Sequence, residues 1–281
     1  MKSVIIPNTK KFEEKKRKII KQGKEKLHIL TDFDRTLTKS RVNGRHIPSV
    51  ISILRDQNYL NKEYSKKAKE LFNKYHPIEM NINIPLKQKK KFMKKWWEEH
   101  FKLLIKSGLN KKHIEKVINS KQIKLRKGVK EFLNLLNKKN IPLIILSSAG
   151  LGKESIKLLL KKENLLFQNI YIISNEFIWD KKGKARSIKK PIIHIMNKDE
   201  TILENFDFFN KIKNRKNVLL IGDSLGDIKM IKGFKYKNLL KVGFLNEDIK
   251  TNLKQYKKNF DLIILNDGNF TKLNKIVKEI K

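Results

Sequence analysis

Short apolar runs alternate with segments of helical periodicity along most of the chain. The runs are Leu27–Thr31, Ile141–Ser147, Ile170–Ser174, Val218–Ile221, Lys241–Leu245 and Leu262–Leu265. Runs of this length bounded by polar residues predict buried strands. Between them, the helical period appears in Gly128–Lys139, Lys153–Lys162 and Asp227–Gly233. Strands that alternate with helices predict an α/β fold, here a Rossmann-like parallel sheet covered on both faces.

The stretch from residue 41 to 124 interrupts this alternation. Asn43-Gly44 predicts a tight hairpin turn. Three segments of helical period follow it: Asn61–Tyr75, Leu86–Lys106 and Asn110–Asn119. We interpret residues 41–124 as a helical insertion that forms a cap over the strand ends. It is inserted into a core formed by residues 1–40 and 125–281.

Two smaller features belong to the core. Lys10–Lys26 predicts a charged helix that precedes the first strand. A second hairpin is predicted around Lys182-Gly183, between Glu176 and Ile195.

Composition agrees with a globular protein. The chain has 281 residues, 39% of them hydrophobic, enough for a full core. No apolar run approaches about eighteen residues, so we expect no transmembrane helix. Val4-Ile5-Ile6 is too short for a secretory signal. The absence of cysteine excludes disulfides and thiolate metal sites, and it is compatible with a cytoplasmic location.

The formal net charge of +38 raises a nucleic-acid-binding function as a hypothesis. However, the basic residues are spread along the whole chain, and only eight of the 66 are arginine. Proteins that read bases or clamp phosphates favour arginine forks. We therefore expect no nucleic-acid partner, and we expect the positive charge to help attract anionic substrates. We also expect a monomer without a membrane partner.

Candidate chemistry begins where the first strand ends. Asp32 and Asp34 are two residues apart, and in extended backbone such side chains point the same way. The strand Val218–Ile221 ends in Gly222-Asp223-Ser224-Leu225-Gly226-Asp227. Ligands gather at the carboxyl ends of parallel strands, and Mg²⁺ prefers carboxylate ligands. Alone, the Asp32–Asp34 pair could equally be a surface or capping pair; together with Asp223 it predicts a magnesium site.

Two further motifs add phosphate chemistry. Ser147-Ser148-Ala149-Gly150 follows another strand, and its small residues let backbone amides approach a phosphate. Lys198 lies in Asn197-Lys198-Asp199, ahead of the Asp223 motif. The four motifs in this order predict phosphoryl transfer.

The order of the motifs resembles the haloacid dehalogenase superfamily of phosphohydrolases, and the detail resembles the cytosolic 5′-nucleotidase III (pyrimidine 5′-nucleotidase) family. The resemblance extends from about Leu27 to the C-terminus. The matching stretches are Thr31–Thr38, Pro77-Ile78-Glu79, Ser148-Ala149-Gly150, Ile173-Ser174-Asn175, Asn197-Lys198, Gly222–Asp227 and Val242–Asn246.

This resemblance implies a role for each carboxylate. Asp32 is expected to attack phosphorus and form an aspartyl-phosphate. Asp34 is expected to protonate the leaving oxygen and then to activate water. Asp32, the backbone carbonyl of Asp34 and Asp223 are expected to bind Mg²⁺, with Asp227 as a ligand or immediately behind one.

The resemblance also implies the phosphate contacts. Ser148, Ala149, Gly150 and Lys198 are expected to bind the phosphoryl oxygens, where their donors meet charge that develops in the transition state. The predicted substrate is accordingly a nucleoside 5′-monophosphate.

Base recognition is assigned to the insertion. Glu79 matches a substrate-binding glutamate of the family, although a capping role is equally open from the residues alone. Trp96 and Trp97 are adjacent on a helix and face about 100° apart. Trp97 matches the position that lines the base pocket, and its ring could stack on a base or only pack. A tryptophan there suits the positive ring of 7-methylguanine. Pro48–Ile51 is apolar where the family has polar or aromatic residues, which leaves the base preference open.

The prediction is thus a magnesium-dependent, pyrimidine-preferring 5′-nucleotidase. Alternatives are a phosphatase acting on 7-methylguanylate or a phosphoserine-type ester, and a basic nucleic-acid-binding protein without turnover. Arg35 is expected only to face the insertion, and the charges of Lys87–Lys95 to be solvated. Asn246 and Asp248 are expected to cap or turn, and the histidines to be structural or exposed.

Overall fold

The computed structural model describes residues 3–47, 49–81, 83–198 and 206–281. The strands in this part of the chain are β1 Val4–Ile5, β2 Leu27–Thr31, β3 Arg41–Val42, β4 Arg45–His46, β5 Leu143–Leu146, β6 Ile170–Ile173, β7 Phe177–Trp179, β8 Ala185–Ile188, β9 Asn217–Gly222, β10 Asn238–Leu245 and β11 Leu262–Leu265. Among them, seven form one sheet in the order β1-β11-β10-β9-β2-β5-β6. Its pairs are parallel except β1 with β11.

Helices cover the sheet and fill the insertion. They are α1 Thr9–Gln22, α2 Val50–Asp56, α3 Lys62–Met80, α4 Leu86–Lys106, α5 Lys111–Asn119, α6 Val129–Lys138, α7 Gly152–Lys162, α8 Phe209–Ile212, α9 Ile249–Asn259 and α10 Thr271–Glu279. Short 3₁₀ helices span Lys24–Lys26 and Leu225–Gly233.

The six apolar runs are confirmed as strands of the sheet. Every residue of β2, β5, β9 and β11 is buried, as expected for strands covered on both faces. Both predicted hairpins are also confirmed, as β3–β4 and β7–β8.

Other elements lie outside the predictions. β1 is only two residues long and pairs through Val4 with Ile264, too short for a periodic signal. The helices α2, α8, α9 and α10 are likewise additional to those predicted. The segment predicted as a helix from Asp227 is a 3₁₀ helix. α3 continues through Pro77 to Met80, so Glu79 lies in its last turn and not after a helix.

The insertion leaves and rejoins the sheet through paired backbone. The Lys39 amide donates to the Lys124 carbonyl over 2.8 Å, and the Arg126 amide donates to the Leu37 carbonyl over 2.9 Å. A bridge between Thr38 and Leu125 lies between these bonds. The base of the insertion is therefore a short two-stranded neck.

The insertion and the sheet share a hydrophobic core. Phe101 of α4 and Val117 of α5 belong to the same buried cluster as Ile29 and Leu143 of the sheet. The ring of Phe101 also meets Phe177 of the β7–β8 hairpin, with centroids 5.4 Å apart. In the part of the chain described, no helix is both long and apolar enough to cross a membrane.

Candidate active site

The first candidate residues lie at adjacent strand ends. The Asp32 amide donates to the carbonyl of Ile221 at the end of β9, over 3.0 Å. On its other side β2 pairs with β5, with Thr31 opposite Ile145. The register therefore brings Asp32, the Ser148 turn and Asp223 to one edge of the sheet, where parallel α/β folds bind ligands.

Three carboxylates converge at this edge. Oxygen atoms of Asp32, Asp223 and Asp227 lie within 4.8 Å of one another. The approach of Asp227 requires glycine at 222, because a Cβ there would come within 2.5 Å of the Asp227 Cβ. Grouped carboxylate oxygens are the donor set that Mg²⁺ prefers, so these residues fit a magnesium ion.

Lys198 neutralises part of this negative charge. Its ammonium donates to Asp32 Oδ1 over 2.5 Å and to Asp227 Oδ1 over 2.9 Å. Burial lowers the pKa of Lys198, but the two carboxylates outweigh it and raise the pKa overall. Burial raises the pKa of Asp32, and Lys198 opposes that change. Lys198 thus carries a permanent positive charge beside the predicted nucleophile.

Asp227 fixes the turn after β9. Its Oδ2 accepts hydrogen bonds from the Asp223 amide over 3.1 Å and from the amide and hydroxyl of Ser224, each over 2.9 Å. With Oδ1 on Lys198, both oxygens are in use. Asp227 therefore orients its neighbours as well as adding charge to the cluster.

Asp34 faces the insertion. Its Oδ1 accepts a hydrogen bond from the Val50 amide, at the start of α2, over 3.1 Å. Burial raises the pKa of Asp34 to about 6, against the opposing effect of the Val50 hydrogen bond. A carboxyl group with a pKa near neutrality can both donate and accept a proton, as an acid–base catalyst must.

Arg35 does more than face the insertion, which corrects the sequence expectation. Its Nε lies 2.9 Å from Asp223 Oδ2, and its Nη1 lies 3.8 Å from Glu247. The backbone of Arg35 is left-handed, with φ of 55°, and this turns the side chain back toward the β9 strand end. No periodic pattern reports such a local conformation.

Arg126 is a buried residue that the sequence reasoning missed. Its side chain is fully buried, and its guanidinium lies 4.3 Å from the centroid of Phe244. All five of its N–H groups have partners. These are the carbonyls of Arg35, Thr36 and Gly268 and the side chains of Asn246 and Asp267.

This arrangement ties the loop after Asp34 to the neck of the insertion and to two core loops. Asn246 is therefore part of the clamp, donating to the Arg35 carbonyl over 3.0 Å, and not merely a turn residue. Asp248 is the residue before α9, but its side chain makes no capping hydrogen bond to the helix. Because Arg126 is a single arginine in the basic run at 124–127, the sequence gives no signal for these contacts.

The predicted phosphate loop follows β5. Ser148 is half-buried, and the Ala149 carbonyl accepts from the Gly152 amide over 3.1 Å. A Cβ on Gly150 would lie 2.7 Å from Ile51 of the insertion. The apolar residue Ile51 therefore packs directly on the loop, while Pro48 lies outside the described residues.

Glu79 lies close enough to Arg35 for the guanidinium charge to affect the pKa of its carboxyl group. Burial raises the pKa of Glu79, and Arg35 and then Lys89 oppose that change. The ammonium of Lys89 donates to the Glu79 carbonyl over 2.9 Å. Lys89 is buried, so the expectation that all charges of Lys87–Lys95 are solvated is wrong at this position.

The two tryptophans diverge as expected from their spacing. Trp96 stacks on Tyr75, with centroids 5.8 Å apart and 16° between planes. Trp97 is half-buried and meets Phe101 at 5.3 Å and His100 at 6.1 Å. Trp97 thus packs along α4 on the side toward the core.

The chain is similar to known proteins over most of its length. The model of the family "Pyrimidine 5'-nucleotidase (UMPH-1)" matches residues 35–281. A 7-methylguanosine phosphate-specific 5'-nucleotidase of Gallus gallus is 31% identical over 265 residues, covering 94% of this chain and 91% of that protein. The chain belongs to the pyrimidine 5'-nucleotidase family.

Solved structures place this family member in the haloacid dehalogenase fold. Cytosolic 5'-nucleotidase IIIB bound to cytidine superposes with a TM-score of 0.89 at 25% identity, covering 99% of this chain and 94% of that one. A phosphoserine phosphatase shares the fold, with a TM-score of 0.54 at 21% identity over 92% and 99% of the two chains. This member of the pyrimidine 5'-nucleotidase family is a phosphoric monoester hydrolase.

Proposed function

We propose that the protein hydrolyses nucleoside 5′-monophosphates with Mg²⁺, through an aspartyl-phosphate on Asp32. The observation that carries this proposal is the buried cluster of Asp32, Asp223 and Asp227 with Lys198 bonded into it. A buried cation beside grouped carboxylates fits a site that receives both a metal ion and a phosphate dianion.

In the first half-reaction, a carboxylate oxygen of Asp32 forms a bond to phosphorus while the bond from phosphorus to the nucleoside oxygen breaks. Asp34 in its acid form gives its proton to that oxygen, so the nucleoside leaves neutral. The raised pKa of Asp34 supports this role. Splitting hydrolysis in this way replaces one difficult step by two easier ones.

In the second half-reaction, water attacks phosphorus and the bond to Asp32 breaks. Asp34, now ionised, takes a proton from the water, which returns both carboxyl groups to their starting states. Lys198 and the amides near Ser148 would stabilise negative charge on the phosphoryl oxygens in both transition states.

We propose that Asp32, Asp223 and the Asp34 carbonyl bind Mg²⁺, with Asp227 behind them. When bound, Mg²⁺ would neutralise charge on the phosphoryl group. Asp227 suits a supporting position because both of its oxygens already accept hydrogen bonds from Lys198, Ser224 and the Asp223 amide.

For the base we favour 7-methylguanosine, with pyrimidines second. Trp97 offers a ring that can stack on the cationic 7-methylguanine, and the chain is similar to an enzyme named for that substrate. Pyrimidine recognition is supported by the similarity to a cytidine-bound 5'-nucleotidase. Residues 41–124 would act as the cap that selects the base through Glu79 and Trp97. That cytidine-bound relative is named cytosolic, which supports a cytoplasmic location.

The test is phosphate release by purified protein from 7-methylguanylate, GMP, CMP, UMP and phosphoserine, each with and without Mg²⁺. We expect release from 7-methylguanylate above GMP, a requirement for Mg²⁺, and loss of activity in Asp32→Asn. Acid-quenched protein should carry labelled phosphate when the substrate phosphate is labelled.

Each part of the proposal can fail separately. Release from phosphoserine and from no nucleotide would overturn the substrate class. Nucleotide hydrolysis that survives in Asp32→Asn would remove the covalent step. Salt-sensitive RNA binding without any hydrolysis would support the nucleic-acid-binding alternative.

A further inference from the structure

Arg35 places its guanidinium on one of the carboxylates proposed to bind Mg²⁺. Its Nε lies 2.9 Å from Asp223 Oδ2, and the Asp223 side chain is only 8% exposed. An ion pair with a desolvated partner is stronger than one between two solvated groups. The raised pKa of Arg35, caused first by Asp223, has the same origin.

The core fixes the backbone from which this side chain extends. The left-handed φ of 55° at Arg35 is unfavourable for a residue with a Cβ. Its carbonyl nevertheless accepts hydrogen bonds from both the Arg126 guanidinium and the Asn246 amide. This double anchor keeps Arg35 in the conformation that aims its guanidinium at Asp223.

A guanidinium and a divalent cation carry charge of the same sign, and both would use the Asp223 carboxylate. We propose that Arg35 competes with Mg²⁺ for Asp223, and that it thereby sets the free Mg²⁺ concentration at which the site fills. This inference rests on the magnesium site of the proposed function.

The opposite effect would arise if Arg35 served to orient Asp223, since hydrogen-bonded partners behind a metal ligand commonly strengthen binding. The backbone of Asp223 is already fixed without Arg35. Its amide donates to Asp227, and its carbonyl accepts from the Tyr256 hydroxyl over 2.5 Å. Loss of the guanidinium therefore removes a positive charge from the site with little loss of order, which favours competition.

The experiment measures Mg²⁺ binding directly, on the full chain without nucleotide. Calorimetric titration and the Mg²⁺-dependent shift in melting temperature are compared for wild type, Arg35→Gln and Arg35→Lys. We expect Arg35→Gln to bind Mg²⁺ about tenfold more tightly, because a unit charge at contact distance is removed. Arg35→Lys should lie between the two.

Arg41→Gln is the matched control. Arg41 is an exposed arginine in β3, so its substitution removes the same net charge from a solvated position. Its affinity for Mg²⁺ should stay within about twofold of wild type, as expected for a screened surface charge.

Unchanged or weaker Mg²⁺ binding by Arg35→Gln would overturn competition while leaving the proposed function intact. Absence of Mg²⁺ binding by the wild type would overturn both. If Arg35→Gln does not fold, the sign of the change in Arg35→Lys decides the question.

Discussion

At the carboxyl edge of the sheet, polar side chains fix one another through hydrogen bonds and ion pairs, whereas in the insertion the candidate Trp97 is fixed by aromatic packing. Lys198 bonds to two carboxylates, and Asp227 accepts hydrogen bonds at both of its oxygens. Trp97, by contrast, lies against Phe101 and His100.

The contrast separates the requirements of chemistry from those of selectivity. Phosphoryl transfer needs charged groups in fixed positions, which buried polar networks supply. A base pocket needs an aromatic ring at a suitable depth. Hydrophobic packing can place such a ring, and packed positions tolerate substitution more easily than buried polar networks do. Changes at the sheet edge should therefore abolish turnover for all substrates, while changes in the insertion should redistribute it among them.

The largest effect is expected for Lys198→Met. This change leaves Asp32 and Asp227 buried without their cation and removes a donor to the transition state. We expect kcat to fall by about 100-fold to 1000-fold for every nucleotide alike. Steady-state phosphate release over the substrate panel measures this. A loss confined to one base would contradict the division between the two regions.

Arg126→Lys should have the next largest effect. A lysine cannot replace five N–H groups, so the loop after Asp34 loses its anchor. We expect kcat to fall by about tenfold or more with KM little changed.

The matched control for this clamp is Arg215→Lys. Arg215 donates to the carbonyl of Lys24 in the first 3₁₀ helix and to the carbonyl of Leu27 in β2. Its loss should lower the melting temperature and leave kcat unchanged. Equal kcat losses in the two variants would mean that Arg126 acts only through stability.

His28, which is buried, and His100, which is half-buried, report whether the two regions unfold together. Burial lowers the pKa of His28 in β2, and of His100 in α4, to about 4. As the pH falls below about 6.5, the unfolded chain binds protons before the folded chain does. The free energy of unfolding is therefore retained above that pH and decreases toward pH 4.

For His28 the expected decrease in the free energy of unfolding is about 2 kcal/mol between pH 7 and pH 5. Urea unfolding at the two pH values measures it, and His28→Gln should reduce the difference. His100→Gln should give a smaller reduction, because His100 is only half-buried. The reduction should occur in the same transition, since the insertion shares the core. A separate transition for the insertion would show that the regions unfold independently.

The smallest effect is expected for Trp97→Ala. We expect KM for 7-methylguanylate to rise about tenfold, with a smaller change for CMP and little change in kcat. Trp96→Ala is the matched control, because Trp96 stacks on Tyr75. It should lower stability without changing the ratio between substrates. The same ratio in both variants would remove Trp97 from base selection.

Much of this molecule follows from the sequence alone. Buried parallel strands are continuous apolar runs, so the sequence alone predicts β2, β5, β9 and β11. The turn residues Asn43-Gly44 and Lys182-Gly183 likewise reveal both hairpins. Strand ends converge in such a sheet, so Asp32 and Asp223 can be grouped in one site from the sequence, and the resemblance to a known family adds Lys198.

Residues without a local sequence pattern make contacts that are known from the tertiary structure alone. Arg126 is one basic residue among many, and its five partners lie up to 142 residues away from it in the sequence. Arg35 turns toward Asp223 because of a left-handed backbone that its neighbours impose. Periodicity reports which face of an element is buried. It does not report which buried charge meets which, because that depends on the packing of segments distant in the chain.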